Sequence, residues 1–112
     1  MEARKIIITG GADRIGAAIA EKLSGPNKEI VIHYNKSKLK AENLKKKLQN
    51  YGSKIYLVRG DLSKEKDINK IIKIAKSKLK YFDCLVNNAS LFDNDKIENF
   101  KINKPLFGLI WI

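Results

Sequence analysis

Residues 9–16 read TGGADRIG, and the segments on either side of them decide the fold. Upstream lies KIIIT (5–9), a short run that is apolar and β-branched almost throughout. A strand covered on both faces reads this way, because neither face can be polar. Downstream, from about Arg14 to Ser24, Ile15, Ala18, Ile19 and Leu23 recur at the spacing of one helical face. Gly10 and Gly11 let the chain reverse sharply without a Cβ clash, and Gly16 lets the helix approach a neighbouring backbone or a ligand. The stretch therefore predicts a buried strand, a tight glycine turn and a helix.

The same unit repeats. IVIHY (30–34), KIYLV (54–58) and CLVNN (84–88) are further apolar runs of strand length. Between them, Ser37–Asn50 carries an apolar stripe of Ala41, Leu44 and Leu48. Lys64–Lys80 carries Ile68, Ile71, Ile72, Ala75 and Leu79. Both stripes lie opposite lysine-rich faces, and SGPN (24–27) and NYGS (50–53) supply the helix stops. The order is β-α-β-α-β-α-β. Parallel strands need crossovers, and here the crossovers are helices. Right-handed crossovers with one reversal predict an α/β, Rossmann-like, doubly wound parallel sheet, incomplete, with strands ordered 3-2-1-4. Regular alternation ends at Asn88. The remainder, ASLFDNDKIENFKINKPLFGLIWI, reads as a polar loop, a short helical stretch and an apolar tail. The chain thus divides into a half-domain over 1–95 and a truncated or atypical tail over 96–112.

Composition narrows the class. With 112 residues, 44% hydrophobic and 31% charged, the chain fits one folded domain. One cysteine excludes an internal disulfide and suits a reducing, cytoplasmic setting. The N-terminal apolar run is too short for a secretion signal, and no stretch approaches the ~20 residues that span a bilayer. A net charge of +11 suggests a nucleic-acid surface. Against that, only Arg4, Arg14 and Arg59 of the 23 basic residues are arginine. The lysines are spread over helix faces, with little aromatic interleaving for base stacking. The reading preferred here is a compositional bias, with neither nucleic acid nor membrane as partner.

In a doubly wound sheet, ligands sit beyond the carboxyl ends of the strands, at the reversal of strand order. Four such ends are informative. At the first, the helix start after the glycine turn attracts a pyrophosphate. Arg14, where a third glycine is usual, adds a guanidinium, whereas Asp13 repels phosphate. The second, IVIHYNKSK (30–38), has no acidic residue to bond the ribose hydroxyls of NAD. His33 and Lys36 as cations, with the Ser37 hydroxyl, favour the 2′-phosphate of NADP. Ser37 has an alternative role, capping the next helix. The third, VRGDLS (58–63), offers Asp61 either to an adenine amino group or to the following helix. The fourth, LVNNAS (85–90), places Asn87 and Asn88 where they can tie strand ends together.

TGxxx[G/R]IG, a basic HYNKS, DLS and NNAS, in this order and spacing, resemble the short-chain dehydrogenase/reductase family. The RIG variant, HYNKS and NNASLF look most like its pteridine-reductase and dihydromonapterin-reductase branch. The resemblance covers about residues 4–95. It implies a cytoplasmic NADP(H)-dependent reductase acting on a pterin or related carbonyl or imine, and homo-oligomers for full-length members. Carried over, it sets Gly10, Arg14, Ile15 and Gly16 at the pyrophosphate and nearby ribose. His33, Tyr34, Asn35, Lys36 and Ser37 would surround the 2′-phosphate. Asp61 and Leu62 would flank the adenine, and Asn88, Ala89 and Ser90 would face the central riboses and nicotinamide. Asp13 departs from the basic residue of relatives.

The family's chemistry uses a tyrosine and a lysine four residues on, together on one helix face. The only Tyr-x-x-x-Lys here, Tyr34–Lys38, leaves the second strand at the adenine end and is rejected as catalytic. No catalytic residue is assigned. Asn103 is similar to a family asparagine but follows NNAS too closely, and the match is read as accidental. His33, the only histidine, makes a zinc site improbable, and Cys84 reads as a buried filler. The expectation is a truncated or frame-shifted chain with a foreign end, whose fourth strand is an open, association-prone edge. The rival functions are a non-catalytic NADP-binding module and a basic nucleic-acid binder.

Overall fold

β1 (Lys5–Thr9) lies at the centre of a parallel sheet and shares its register with strands on both sides. The computed structural model describes residues 4–12, 14–88 and the backbone of 108–111. After β1 come α1 (Arg14–Leu23), β2 (Glu29–Tyr34), α2 (Lys38–Asn50), β3 (Lys54–Arg59), α3 (Glu65–Leu79), β4 (Cys84–Asn87) and β5 (Gly108–Trp111). The spatial order is β3-β2-β1-β4-β5, every pair parallel. The 3-2-1-4 core and its reversal between β1 and β4 are those read from the apolar runs.

Alternation along the strands feeds two cores. Ile6, Ile8, Ile30, Ile32, Ile55, Cys84 and Val86 pack beneath α1 and α2 with Ala20, Leu44 and Leu48. Ile7, Val31, Val58 and Leu85 face α3 through Ile68, Ile71, Ala75 and Leu79. Cys84 is buried, and burial, then the nearby Asp83 charge, pushes its thiol up, away from nucleophilic chemistry. The two helix stops are stapled together: the Ser53 hydroxyl accepts from the Gly25 amide at 2.8 Å and donates to its carbonyl at 2.9 Å.

Two expectations need correction. Ile15 and Ala18 do not face the core; Ile15 is 59% exposed, and the buried line on α1 is Gly16 and Ala20. Ile19 and Leu23 of the predicted stripe do pack, half-buried, against the core, while the small residues let the helix sit close to the sheet. The open edge at β4 is also not observed. Gly108–Trp111 pairs with Cys84–Asn87 residue for residue. The intervening segment, with Asn103, lies outside the described residues.

At the amino ends of the strands, Asp83 Oδ2 accepts from the amides of Arg4 (2.6 Å) and Lys5 (2.8 Å). Lys5 Nζ donates to the Leu79 carbonyl at 2.7 Å, ending α3, and lies 4.3 Å above the Tyr81 ring. Asp83→Ala leaves the Arg4 and Lys5 amides without their carboxylate acceptor. It is expected to lower unfolding free energy by about 2 kcal/mol in urea titration, with Asp83→Asn less damaging.

Candidate nucleotide site

The glycine turn is built by close approach. Gly10 has φ +61°, a left-handed conformation that favours glycine. A Cβ on Gly16 would overlap the Gly10 carbonyl oxygen and come within 2.8 Å of Asn88 Nδ2. That amide donates to the Gly10 carbonyl at 3.0 Å, and Thr9 Oγ1 donates to Asn87 Oδ1 at 3.0 Å. Asn87 and Asn88 therefore tie β4 to the end of β1, as the NNAS stretch suggested. Ala89, Ser90 and Asp13 lie outside the described residues.

Arg14 opens α1 at φ +41°. The position keeps a glycine-type backbone although its residue is arginine, and such strain concentrates at functional sites. Its side chain is exposed, as is that of Ile15 beside it. Arg14→Gly is expected to raise stability by about 1 kcal/mol. Calorimetry should show nucleotide affinity falling several-fold in the same variant, because the cation is gone.

Gly10, Ala12, Tyr34, Asn35, Lys36 and Ser37 line an open cleft of ≈ 350 Å³. Among the described residues no carboxylate lines it, and Lys36 is its cation. Ser37 occupies the N-cap position of α2 without a side-chain capping bond. The capping alternative for its hydroxyl is therefore not realised. A second cleft, ≈ 410 Å³, shares Asn35 and is lined by Arg59, Gly60, Asp61, Lys64, Asp67 and Lys70. Asp61 Oδ1 accepts from the Ser63 hydroxyl (2.7 Å) and amide (2.9 Å), bonds that hold its carboxyl below the ordinary range. Asp61 thus closes the turn before α3 rather than capping that helix, whose N-cap position is Lys64.

Two residues are placed otherwise than the sequence suggested. Leu62 is buried in the α3-side core, which leaves its backbone at the loop. His33 is 3% exposed and both ring nitrogens are engaged by backbone: Nδ1 with the Gly10 amide at 3.0 Å, Nε2 with the Gly60 carbonyl at 2.8 Å. It presents no cation to the cleft. Tyr34 ends β2 and Lys38 begins α2, so that pair shares no helix face.

Two further contributors went unnoticed in the sequence. The Asp67 carboxylate accepts the Asp61 amide at 2.8 Å and fixes the loop. Gly60 abuts Ile71, whose Cδ1 a Cβ would approach to 2.8 Å. The charged start of α3 gave no local signal for the first; RGD offered a glycine for the second.

Among the described residues there is no cluster of three or more metal-ligating side chains, and no helix long and apolar enough to cross a membrane.

A glycine turn facing a basic cleft at the carboxyl end of a reversing parallel sheet defines the Rossmann-like α/β class. Residues 4–106 match the short chain dehydrogenase family, and the chain belongs to it. It is 34% identical to short-chain dehydrogenase/reductase FrzI of Cladobotryum sp., over 90% of this chain and 43% of that protein. A short-chain dehydrogenase from Oenococcus oeni PSU-1 superposes with TM-score 0.69 at 29% identity, over 78% of this chain and 40% of that one. FolM alternative dihydrofolate reductase 1 from Brucella canis, complexed with NADP, gives TM-score 0.66 at 36% identity, over 79% and 35%. The chain spans less than half the length of these relatives.

Proposed function

We propose that this chain is the cofactor-binding part of an NADP(H)-dependent reductase, with a pterin or related carbonyl or imine as the substrate of the whole protein. The observation that carries the cofactor is the first cleft: Lys36 and Ser37 at its wall, no side-chain cap on the α2 start, and no acidic residue among its described lining to bond a ribose diol. The cradle also fits the group, since Gly16 carries no side chain where the Gly10 carbonyl and the Asn88 amide come together, so the turn and the start of α1 stay close. Bound NADPH would supply the reducing equivalents. This chain's residues would do the holding: the Gly10 turn and Arg14 at the pyrophosphate, Lys36 and Ser37 at the 2′-phosphate, Asp61 beside the adenine, Asn88 toward the central ribose. The NADP-bound FolM relative supports the cofactor and, by its dihydrofolate substrate class, the pterin-like ring. The only Tyr-x-x-x-Lys lies at the adenine end, so the 112 residues by themselves bind cofactor without turning it over.

Calorimetric titration with NADP+ and NAD+ tests the reading. Saturable binding of NADP+, tighter than NAD+, is the expected result. Equal affinity for the two removes the 2′-phosphate site. Zero heat with both, alongside DNA binding with a steep salt slope, would hand the chain to the nucleic-acid alternative.

A further inference from the structure

His33 is the only histidine in the sequence and is engaged from both sides by glycine backbone. An amide can only donate and a carbonyl can only accept. The ring must therefore be the neutral Nε2–H tautomer, accepting from Gly10 at Nδ1 and donating to Gly60 at Nε2. The neighbouring backbone repeats the connection: the Gly11 amide donates to the His33 carbonyl (3.0 Å), and the Gly60 amide to the Tyr34 carbonyl (3.1 Å). Gly10 lines the first cleft and Gly60 the second. One imidazole thus joins the two turns that bound the clefts.

We propose that His33 is a positioning residue that locks the Gly10 and Gly60 turns in one geometry, so that nucleotide binding requires its neutral ring and weakens on acidification. This rests on the clefts being the nucleotide site.

A protonated ring would set an Nδ1–H against the Gly10 N–H, two donors facing each other in a buried place. The turn would have to open, and with it the Gly10 edge of the cleft. Burial lowers His33's proton affinity below the ordinary value of 6.5, opposed by the smaller effect of the Gly60 bond. Among the described residues, the charged groups around the adjoining clefts are Lys36, Arg59, Asp61, Lys64, Asp67 and Lys70. None is among the causes of the shift. The sign follows from linkage. Below pH 6.5 the unfolded chain takes up a proton that the folded chain refuses, so stability falls with pH until the folded value is reached, then levels. Affinity for nucleotide falls only once the folded ring itself is protonated.

A single histidine makes the test direct, because its ring nitrogens need no assignment. Long-range ¹H–¹⁵N spectra of the full chain should show a protonated Nε2 and a bare Nδ1 at neutral pH, titrating below 6.5. NADP+ affinity is then measured from pH 8 to 5 for the wild type, His33→Asn and His33→Phe. The Asn Oδ1 takes the place of Nδ1 and does not titrate, while the 2′-phosphate titrates in all three. At pH 7.5, H33N should stay within about threefold of wild type and H33F should lose about tenfold or more. On acidification, wild type should fall more steeply than H33N. Equal affinities for H33F and wild type at pH 7.5, parallel acid curves for wild type and H33N, or a ring titrating at or above 6.5, overturn the proposal. No heat with NADP+ at pH 7.5 overturns the nucleotide reading and this coupling with it; binding with parallel curves overturns the coupling alone.

Discussion

Replacing Gly16 with valine should weaken NADP+ binding roughly 100-fold and destabilise the fold together. The side chain would occupy the space of the Gly10 carbonyl oxygen, and its Cβ would crowd the Asn88 amide that bonds the same oxygen. Relief requires α1 to back away or the turn to open, and both are fixed. Gly10 is held by the His33 ring and Asn88, and α1 by Ala20 against the sheet. Overpacking of this kind costs about 1–3 kcal/mol in stability. A turn displaced by the width of a methyl should lower affinity by roughly 100-fold, about 3 kcal/mol. Gly16→Ala should show the same direction, less severely. Calorimetry gives the affinity and urea unfolding the stability. Wild-type binding in a stable Gly16→Val protein would mean that the nucleotide does not use this turn.

The second large effect is a change of preference. Lys36→Glu places a carboxylate where the first cleft has its one charged residue among the described lining. A charge-assisted bond to the 2′-phosphate is lost and a repulsion is introduced. NADP+ affinity should fall by about 100-fold, the sum of a bond worth about 2 kcal/mol and a screened repulsion of about 1 kcal/mol. NAD+ has no phosphate there, and a carboxylate can accept from its ribose hydroxyls. Its affinity should hold or rise. Paired titrations of both nucleotides read the ratio directly. An equal loss for both would place Lys36 outside the adenosine contact.

The sheet was legible because its strands are buried on two faces, and such strands announce themselves as unbroken apolar runs. IVIHY and KIYLV needed no alternation to be recognised, and the stops at SGPN and NYGS set the helix ends within a residue or so. The orientation of α1 was harder. Of the face read from Ile15, Ala18, Ile19 and Leu23, the last two do pack against the core, but the fully buried line belongs to Gly16 and Ala20, whose small size carries little weight in a hydrophobic pattern. His33 was misread for a different reason. Residue type suggests a cation, whereas its partners are backbone groups of Gly10 and Gly60, brought to it only by the pairing of three strands. Leu62 followed the same path into the core. GLIW is too short to signal a strand by itself, and only pairing with β4 reveals it.

The clasp formed by Asp83, Lys5 and the end of α3 lies at the far end of β1 from the glycine turn, roughly 15 Å away by strand length. Changes so far apart combine almost independently. An engineer could therefore toughen this molecule from its base, for instance by reinforcing the contacts around Tyr81, and leave its ligand chemistry untouched.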